Sequence, residues 1–183
     1  MLTATPGPRQ ARATFWRVKK PPGERRAVAA QPAPPLRLYS RTCQAALRAM
    51  ARLADEARTR PGALVGLATL AAATGAKAPA LAQVLQRLRR AGLLAARRGP
   101  SGGMRLARPA RDISVLEVVR AVDGAGLEGR CILGLPACGD EAPCPAHEVW
   151  KRARTLLEKR LENRSLADLA RAVARKNVAL LDL

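Results

Sequence analysis

Three of the four cysteines fall in one short segment, Cys131, Cys138 and Cys144, spaced C-x6-C-x5-C; the only histidine, His147, follows as C-x2-H. Thiolates are soft ligands that suit iron–sulfur clusters, zinc or copper(I). A histidine placed two residues after the last cysteine reads as a fourth ligand rather than a bystander. The same set would serve a structural Cys3His zinc site. The thiols could also act without metal as a redox switch, or be inert. The spacings are wider than the C-x2-C common in zinc modules, which tilts the reading toward a cluster. Cys43 stands apart in a helical stretch and reads as packing or chance.

The loop carrying these ligands, 127–145, must be held by the helices on either side. Before it, Ile113, Leu116, Val119 and Val122 align on a short helix that Asp123-Gly124-Ala125-Gly126 breaks. After it, Ala146 to Asn163 is expected to be the longest helix, with Trp150, Ala153, Leu157 and Leu161 as a narrow apolar stripe. A narrow stripe on a long helix suits a two-helix seam, so these four residues are the expected dimerisation contacts. The competing reading packs the same stripe on its own domain. Ser165 to Leu169 starts a closing helix, and Arg171 to Leu183 is expected to fray.

Upstream, the charge is informative. The formal net charge is +19, which points to a polyanionic partner. An Arg-, Ala-, Gly- and Pro-rich chain is also what a GC-rich genome encodes, but codon drift would not strip acids from one segment alone. From Ala57 to Arg111 there is no Asp or Glu, whereas acids return from Asp112 onward. Within that window Leu81, Val84, Leu85 and Leu88 form one apolar helical face, and Gln83, Gln86, Arg87, Arg89 and Arg90 fill the rest. Gly92 stops the helix. Two short apolar runs follow, joined by Arg97-Arg98-Gly99-Pro100-Ser101-Gly102-Gly103, a turn rich in Gly and Pro. Ahead of this helix, Ser40 caps a helix to Ala57 with Leu47, Met50, Leu53 and Ala54 inward, and Leu64 to Ala73 forms a second that Gly75 ends. The result is a helix-turn-helix followed by a basic hairpin, the layout of a winged helix on DNA.

The expected fold is therefore mainly α: a winged helix-turn-helix domain with a small β-hairpin wing (36–126), the cysteine loop (127–145), a long dimerisation helix with the closing helix (146–172) and a frayed end (173–183). Residues 1–35 hold half of the prolines and seven basic residues against the single acid Glu24, a composition that cannot bury a core. They read as a basic arm, a targeting segment, or a start assigned too far upstream. No apolar run approaches a membrane span, and the N-terminus lacks the apolar stretch of a signal peptide, so a cytoplasmic setting is expected. No phosphate-cradling loop, apolar carboxylate pair or second histidine supports an enzyme.

From about Leu38 to about Ala172 the chain resembles the Rrf-two family of bacterial winged-helix regulators. The resemblance rests on Tyr39-Ser40-Arg41-Thr42-Cys43-Gln44, on Ala46-Leu47-Arg48-Ala49, and above all on the wing Arg98-Gly99-Pro100-Ser101-Gly102-Gly103-Met104-Arg105-Leu106-Ala107. Family members usually begin just before the position of Leu38, so we read residues 1–35 as an upstream start. The sequence departs from the family pattern at Ala45, Ala80 and Ala82. The resemblance implies a homodimer on a partly palindromic double-stranded DNA site, acting as a repressor. It implies that Cys131, Cys138 and Cys144 ligate a [2Fe-2S] cluster, in preference to [4Fe-4S], with zinc as the alternative metal. The Cys144-x2-His147 spacing, followed by Trp150, is similar to the branch in which the histidine is the fourth ligand, although Cys131 and Cys138 are one residue further apart here. In this reading Arg41, Lys77, Gln83 and Arg87 contact the major groove and phosphates. Arg97, Arg98, Ser101, Gly102 and Gly103 form the wing contact, with Gly102 and Gly103 supplying close approach and positive φ.

Overall fold

The computed structural model describes residues 38–99, 101–125, 127, 129–135 and 139–176. The basic N-terminal tail, Cys138 and the chain beyond Lys176 lie outside the described residues.

The central element is α1 (Arg41–Thr59), which packs against the other α-helices of the winged helix, one strand of the wing and the last helix. Its buried face is Cys43, Ala46, Ala49, Met50, Leu53 and Ala54, while Leu47, expected inward, sits half-buried at the margin. Alanine at so many inward positions lets neighbouring helices approach closely, which suits a chain with 2% aromatic residues. Ser40 caps the helix as expected, its Oγ accepting the Cys43 N–H at 2.9 Å. Asp123 in turn holds the cap, its Oδ2 accepting the Ser40 N–H at 2.9 Å and its Oδ1 accepting the hydroxyl at 2.6 Å. Ser40→Ala removes the cap and the hydroxyl bond to Asp123, leaving only the backbone one. It should lower stability by about 1–2 kcal/mol, read as a drop in the thermal midpoint.

α2 (Leu67–Thr74) begins later than the expected Leu64. Val65 instead pairs with the wing: its N–H donates to the Met104 carbonyl, and the Met104 N–H donates back, each at 2.9 Å. Gly75, at φ +66°, ends α2, and α3 (Ala78–Arg90) follows with Leu81, Val84, Leu85 and Leu88 buried, as the periodicity predicts. Strands β1 (Leu94–Arg97) and β2 (Gly103–Leu106) form the antiparallel hairpin, with Leu94 opposite Leu106 and Arg97 opposite Gly103.

A short 3-10 turn (Ala110–Asp112) leads to α4 (Val115–Asp123). Ile113 is fully buried but precedes this helix, because Ser114 and Glu117 close a reciprocal capping box one residue later. α5 (His147–Glu162) has 16 residues and α1 has 19, so α1 and not α5 is the longest described helix. α6 (Leu166–Lys176) runs past the point where fraying was expected. The Val115 N–H donates to Arg164 and the Leu166 N–H to Ile113, both at 2.8 Å, and Leu166 and Ala170 enter the core beside α1. The closing helix thus belongs with the winged-helix core. Among the described residues no helix is long and apolar enough to cross a membrane.

Candidate functional site

The buried stripe of α3 dictates what its other side presents. Gln83, Gln86, Arg87, Arg89 and Arg90 are exposed, and a groove of about 630 Å³ runs between them and Ala96, Arg98 and Met104 of the wing. A second groove brings Arg41 of α1 together with Gln83 and Arg87. Lys77 is exposed at the N-cap of α3. Arg87 is the exception to a purely outward display: its Nη1 donates to the Val122 carbonyl at the end of α4, at 3.3 Å.

The wing tip is built by its glycines, but not with the roles expected. The positive φ, +109°, belongs to Gly99, and neither Gly102 nor Gly103 adopts one. Their requirement is space: a Cβ on Gly102 would collide with the Arg97 carbonyl, and one on Gly103 would lie 2.8 Å from the Val65 carbonyl oxygen. Across the turn Arg97 Nη2 donates to the Ser101 carbonyl at 3.0 Å. Arg98 and Ser101 are exposed.

At the cysteine loop, Cys131 and Cys144 come together with their sulfurs 3.9 Å apart. Backbone N–H groups of Leu135, Leu133 and Gly134 point at the Cys131 sulfur and hold its thiol below the usual range, with Cys144 adding to the effect. His147 opens α5, 4% exposed, with its backbone N–H donating to the Cys144 carbonyl at 2.9 Å. Its Nε2 lies 2.8 Å from Asp140 Oδ1, and Lys151 Nζ reaches both Asp140 oxygens at 2.7 and 2.8 Å. Lys151, and after it His147, hold the Asp140 carboxyl below its ordinary range. Asp140, His147 and Glu148 also have possible ligand atoms within 4.8 Å of one another. The loop is tied to α5 at its other end too. Trp150 Nε1 donates to the Arg130 carbonyl at 2.6 Å, and the Leu127 N–H donates to Glu158 Oε1 at 3.2 Å.

The stripe expected at a dimer seam does not form one surface. Trp150 is buried against its own chain, Leu157 is half-buried, and Leu161 packs on the core, whereas Ala153 is exposed. Ala153 shares the outer face with Val149, 75% exposed, and Leu156, 61% exposed. Ile132, Leu133 and Leu135 are exposed on the cysteine loop.

Reading the sequence missed Asp140, Lys151, Asp123 and Val65. An acid inside a cysteine loop, beside a lone histidine and a lysine one turn later, is a signal for the first two. Val65 carries none, being one apolar residue in a connection.

Residues 39–172 match the Rrf2 family, described as an iron-dependent transcriptional regulator. Rv1287 of Mycobacterium tuberculosis (strain H37Rv), whose name describes an HTH-type transcriptional regulator, is 37% identical over 137 residues, 74% of this chain and 83% of its own length. The structure of IscR from T. potens aligns at a TM-score of 0.59 and 26% identity over 78% of this chain and 92% of that one. CymR (YrzC), the global cysteine regulator of B. subtilis, aligns at 0.59 and 26% over 75% and 98%. The match spans α1 through most of α6, with the hairpin wing and the cysteine loop inside it: the chain belongs to the Rrf2 family of transcriptional regulators, DNA-binding proteins and not enzymes.

Proposed function

We propose that this regulator is a cytoplasmic homodimeric repressor whose DNA binding responds to an iron–sulfur cluster, [2Fe-2S] in preference to [4Fe-4S], held by Cys131, Cys138, Cys144 and His147. The observation that carries this reading is the 3.9 Å separation of the Cys131 and Cys144 sulfurs, with the His147 backbone N–H bonded to the Cys144 carbonyl. Two tetrahedral thiolates at the ~2.3 Å metal–sulfur length of zinc sites lie about 3.8 Å apart, so the pair fits a shared metal atom. The N–H groups aimed at Cys131 favour a thiolate, as a ligand must be. When bound, the cluster supplies a centre whose charge and integrity change with redox state or loss of iron.

On DNA, Gln83 faces the major groove, Arg41 and Lys77 bind phosphate at its edge, and Arg97, Arg98 and Ser101 carry the wing contact with Gly102 and Gly103 beneath them. The loop leaves the chain at the end of α4, where Val122 holds Arg87 and Asp123 holds the cap of α1. Displacement of the loop therefore reaches the recognition helix through hydrogen bonds already in place. For the dimer, the outer face of α5, Val149, Ala153 and Leu156, takes the role expected of Trp150, Ala153, Leu157 and Leu161. Leu156→Glu should convert the dimer to a monomer by sedimentation.

The test is anaerobic purification with iron, sulfide and zinc analysis and a visible spectrum, then DNA binding of loaded and stripped protein at matched salt. Iron, sulfide and an affinity difference of about tenfold, ~1.4 kcal/mol of coupling, are expected. Equal affinities would end the sensor reading, and stoichiometric zinc would replace the cluster. The sulfur separation and the likeness to a cysteine regulator support a second reading, a metal-free switch in which Cys131 and Cys144 join as a disulfide. A metal-free protein whose DNA affinity changes with oxidant would favour it.

A further inference from the structure

We propose that the wing engages DNA with both of its faces: Arg105, on the face turned away from α3, binds a phosphate of the strand on the far side of the groove that the wing tip enters. The inference rests on the wing contact proposed above and adds to it a residue and a second strand.

The register of the hairpin sorts its side chains. Residues directly opposite each other point to one face, and successive residues alternate. Leu94 and Leu106 pair and are buried in the core. Ala96 and Met104, two residues on, share that face and line the groove against α3 together with Arg98. Ala95 opposite Arg105, and Arg97 opposite Gly103, therefore stand on the other face. Ala95 offers only a methyl group there and Gly103 no side chain, so the two arginines are its tallest groups. Both are exposed. Arg105 sits two residues, about 7 Å, behind the tip pair.

Several arginines of the acid-free stretch have their charge matched inside the fold. Arg58 pairs with Asp55 at 2.8 Å, Arg60 with Glu56, and Arg108 with Glu117 at 2.6 Å. Arg87 and Arg97 donate to backbone carbonyls. The cations left without a side-chain partner divide in a telling way. Lys77 caps α3, and Arg89, Arg90 and Arg98 line its groove with the wing. Among the described residues of that stretch, Arg105 alone lacks a partner and lies on neither surface. A guanidinium so placed adds nothing to the fold that carries it and keeps its five N–H donors for an anion. In a DNA-binding family that anion is a phosphate. A minor groove is about 6 Å wide, so a hairpin tip that enters it has a sugar–phosphate strand on each side. Arg98 meets the strand on the α3 side, and Arg105 meets the other.

The full-length protein is titrated with a fluorescent mixed-sequence duplex over a range of salt, where the slope of log affinity against log salt counts the phosphates neutralised. Arg105→Ala should reduce that slope by about 0.9 for each wing engaged and weaken binding about fivefold to tenfold at ~0.1 M salt. Arg105→Lys should keep the slope, since a phosphate also accepts a point charge. Arg58→Ala removes the same charge from the last turn of α1 and should leave the slope unchanged. Arg105 is exposed and holds no other group in place, so its variants fold, which circular dichroism checks. An unchanged slope in Arg105→Ala beside a reduced one in Arg98→Ala overturns the proposal alone. Unchanged slopes in both overturn the wing contact beneath it as well. A reduction in Arg58→Ala as large as in Arg105→Ala is an effect of total charge and also overturns the proposal.

Discussion

Gly103→Val weakens binding to mixed-sequence duplex DNA by about tenfold or more while leaving helix content and most of the stability intact. The reason is local. A Cβ at this position would stand 2.8 Å from the Val65 carbonyl oxygen and 2.9 Å from its carbon, both backbone atoms that cannot rotate away. The two hydrogen bonds between Val65 and Met104 must open to admit it. Each is worth about 0.5–1.5 kcal/mol, so the wing loses about 1–3 kcal/mol of its attachment. Binding that needs a docked wing loses the same energy, and every ~1.4 kcal/mol is a decade of affinity. The helices α1 to α4 keep their own core, so far-ultraviolet circular dichroism should be unchanged. Gly99→Ala is the comparison: it meets no atom within 4 Å but must hold φ at +109°, a cost of about 1 kcal/mol. Fluorescence anisotropy at two salt concentrations measures both. Equal affinity of Gly103→Val and the unaltered protein would show that the wing does not contribute.

On the proposed cluster reading, Cys144→Ser should strip the protein of nearly all bound metal, and Cys43→Ser should strip none. Cys144 lies across from Cys131 and carries the carbonyl that anchors the His147 backbone, so its thiol is the natural partner in any metal site. Cys43 is fully buried in α1, and that burial, with Asp123 nearby, pushes its thiol up to about 12. At neutral pH it is protonated and shielded, neither ligand nor nucleophile. Alkylation of metal-free, folded protein should therefore modify Cys131 rapidly and leave Cys43 untouched until denaturant is added. Mass spectrometry of the digested protein reads this directly, and metal analysis reads the two variants.

Much of the fold was legible because one periodicity answered one question. Leu81, Val84, Leu85 and Leu88 could only be one helical face, and Gly75 and Gly92 mark ends that need a left-handed residue. The stripe on α5 shows where this fails. Burial against one's own chain and burial against a partner use the same spacing of three and four residues, so Trp150, Leu157 and Leu161 could not be told from a seam. Val149 and Leu156, outside that stripe, hold the exposed apolar surface. The wing glycines fail differently: their number was informative, but that Gly103 serves a close approach depends on Val65, which lies far off in the chain. At the cysteine loop the residue types and their order stand in the sequence. The contact of Asp140 with His147 and Lys151 does not, because no local pattern says which side chains a wrapped loop brings together.

The pairing of Ile113 and Val115 with Arg164 and Leu166 has a consequence for synthesis. α1 is made early, but part of the surface it buries is supplied by Leu166 and Ala170, which follow the cysteine loop in the chain. Long-range contacts of this kind close late, and a growing chain cannot close them before their residues exist. Completion of the DNA-reading core thus waits for translation of the cysteine loop. A nascent chain ending ahead of Leu166 has its recognition helix but lacks the residues that finish its support. A copy of this chain that reaches DNA with its core complete therefore already carries its cysteine loop.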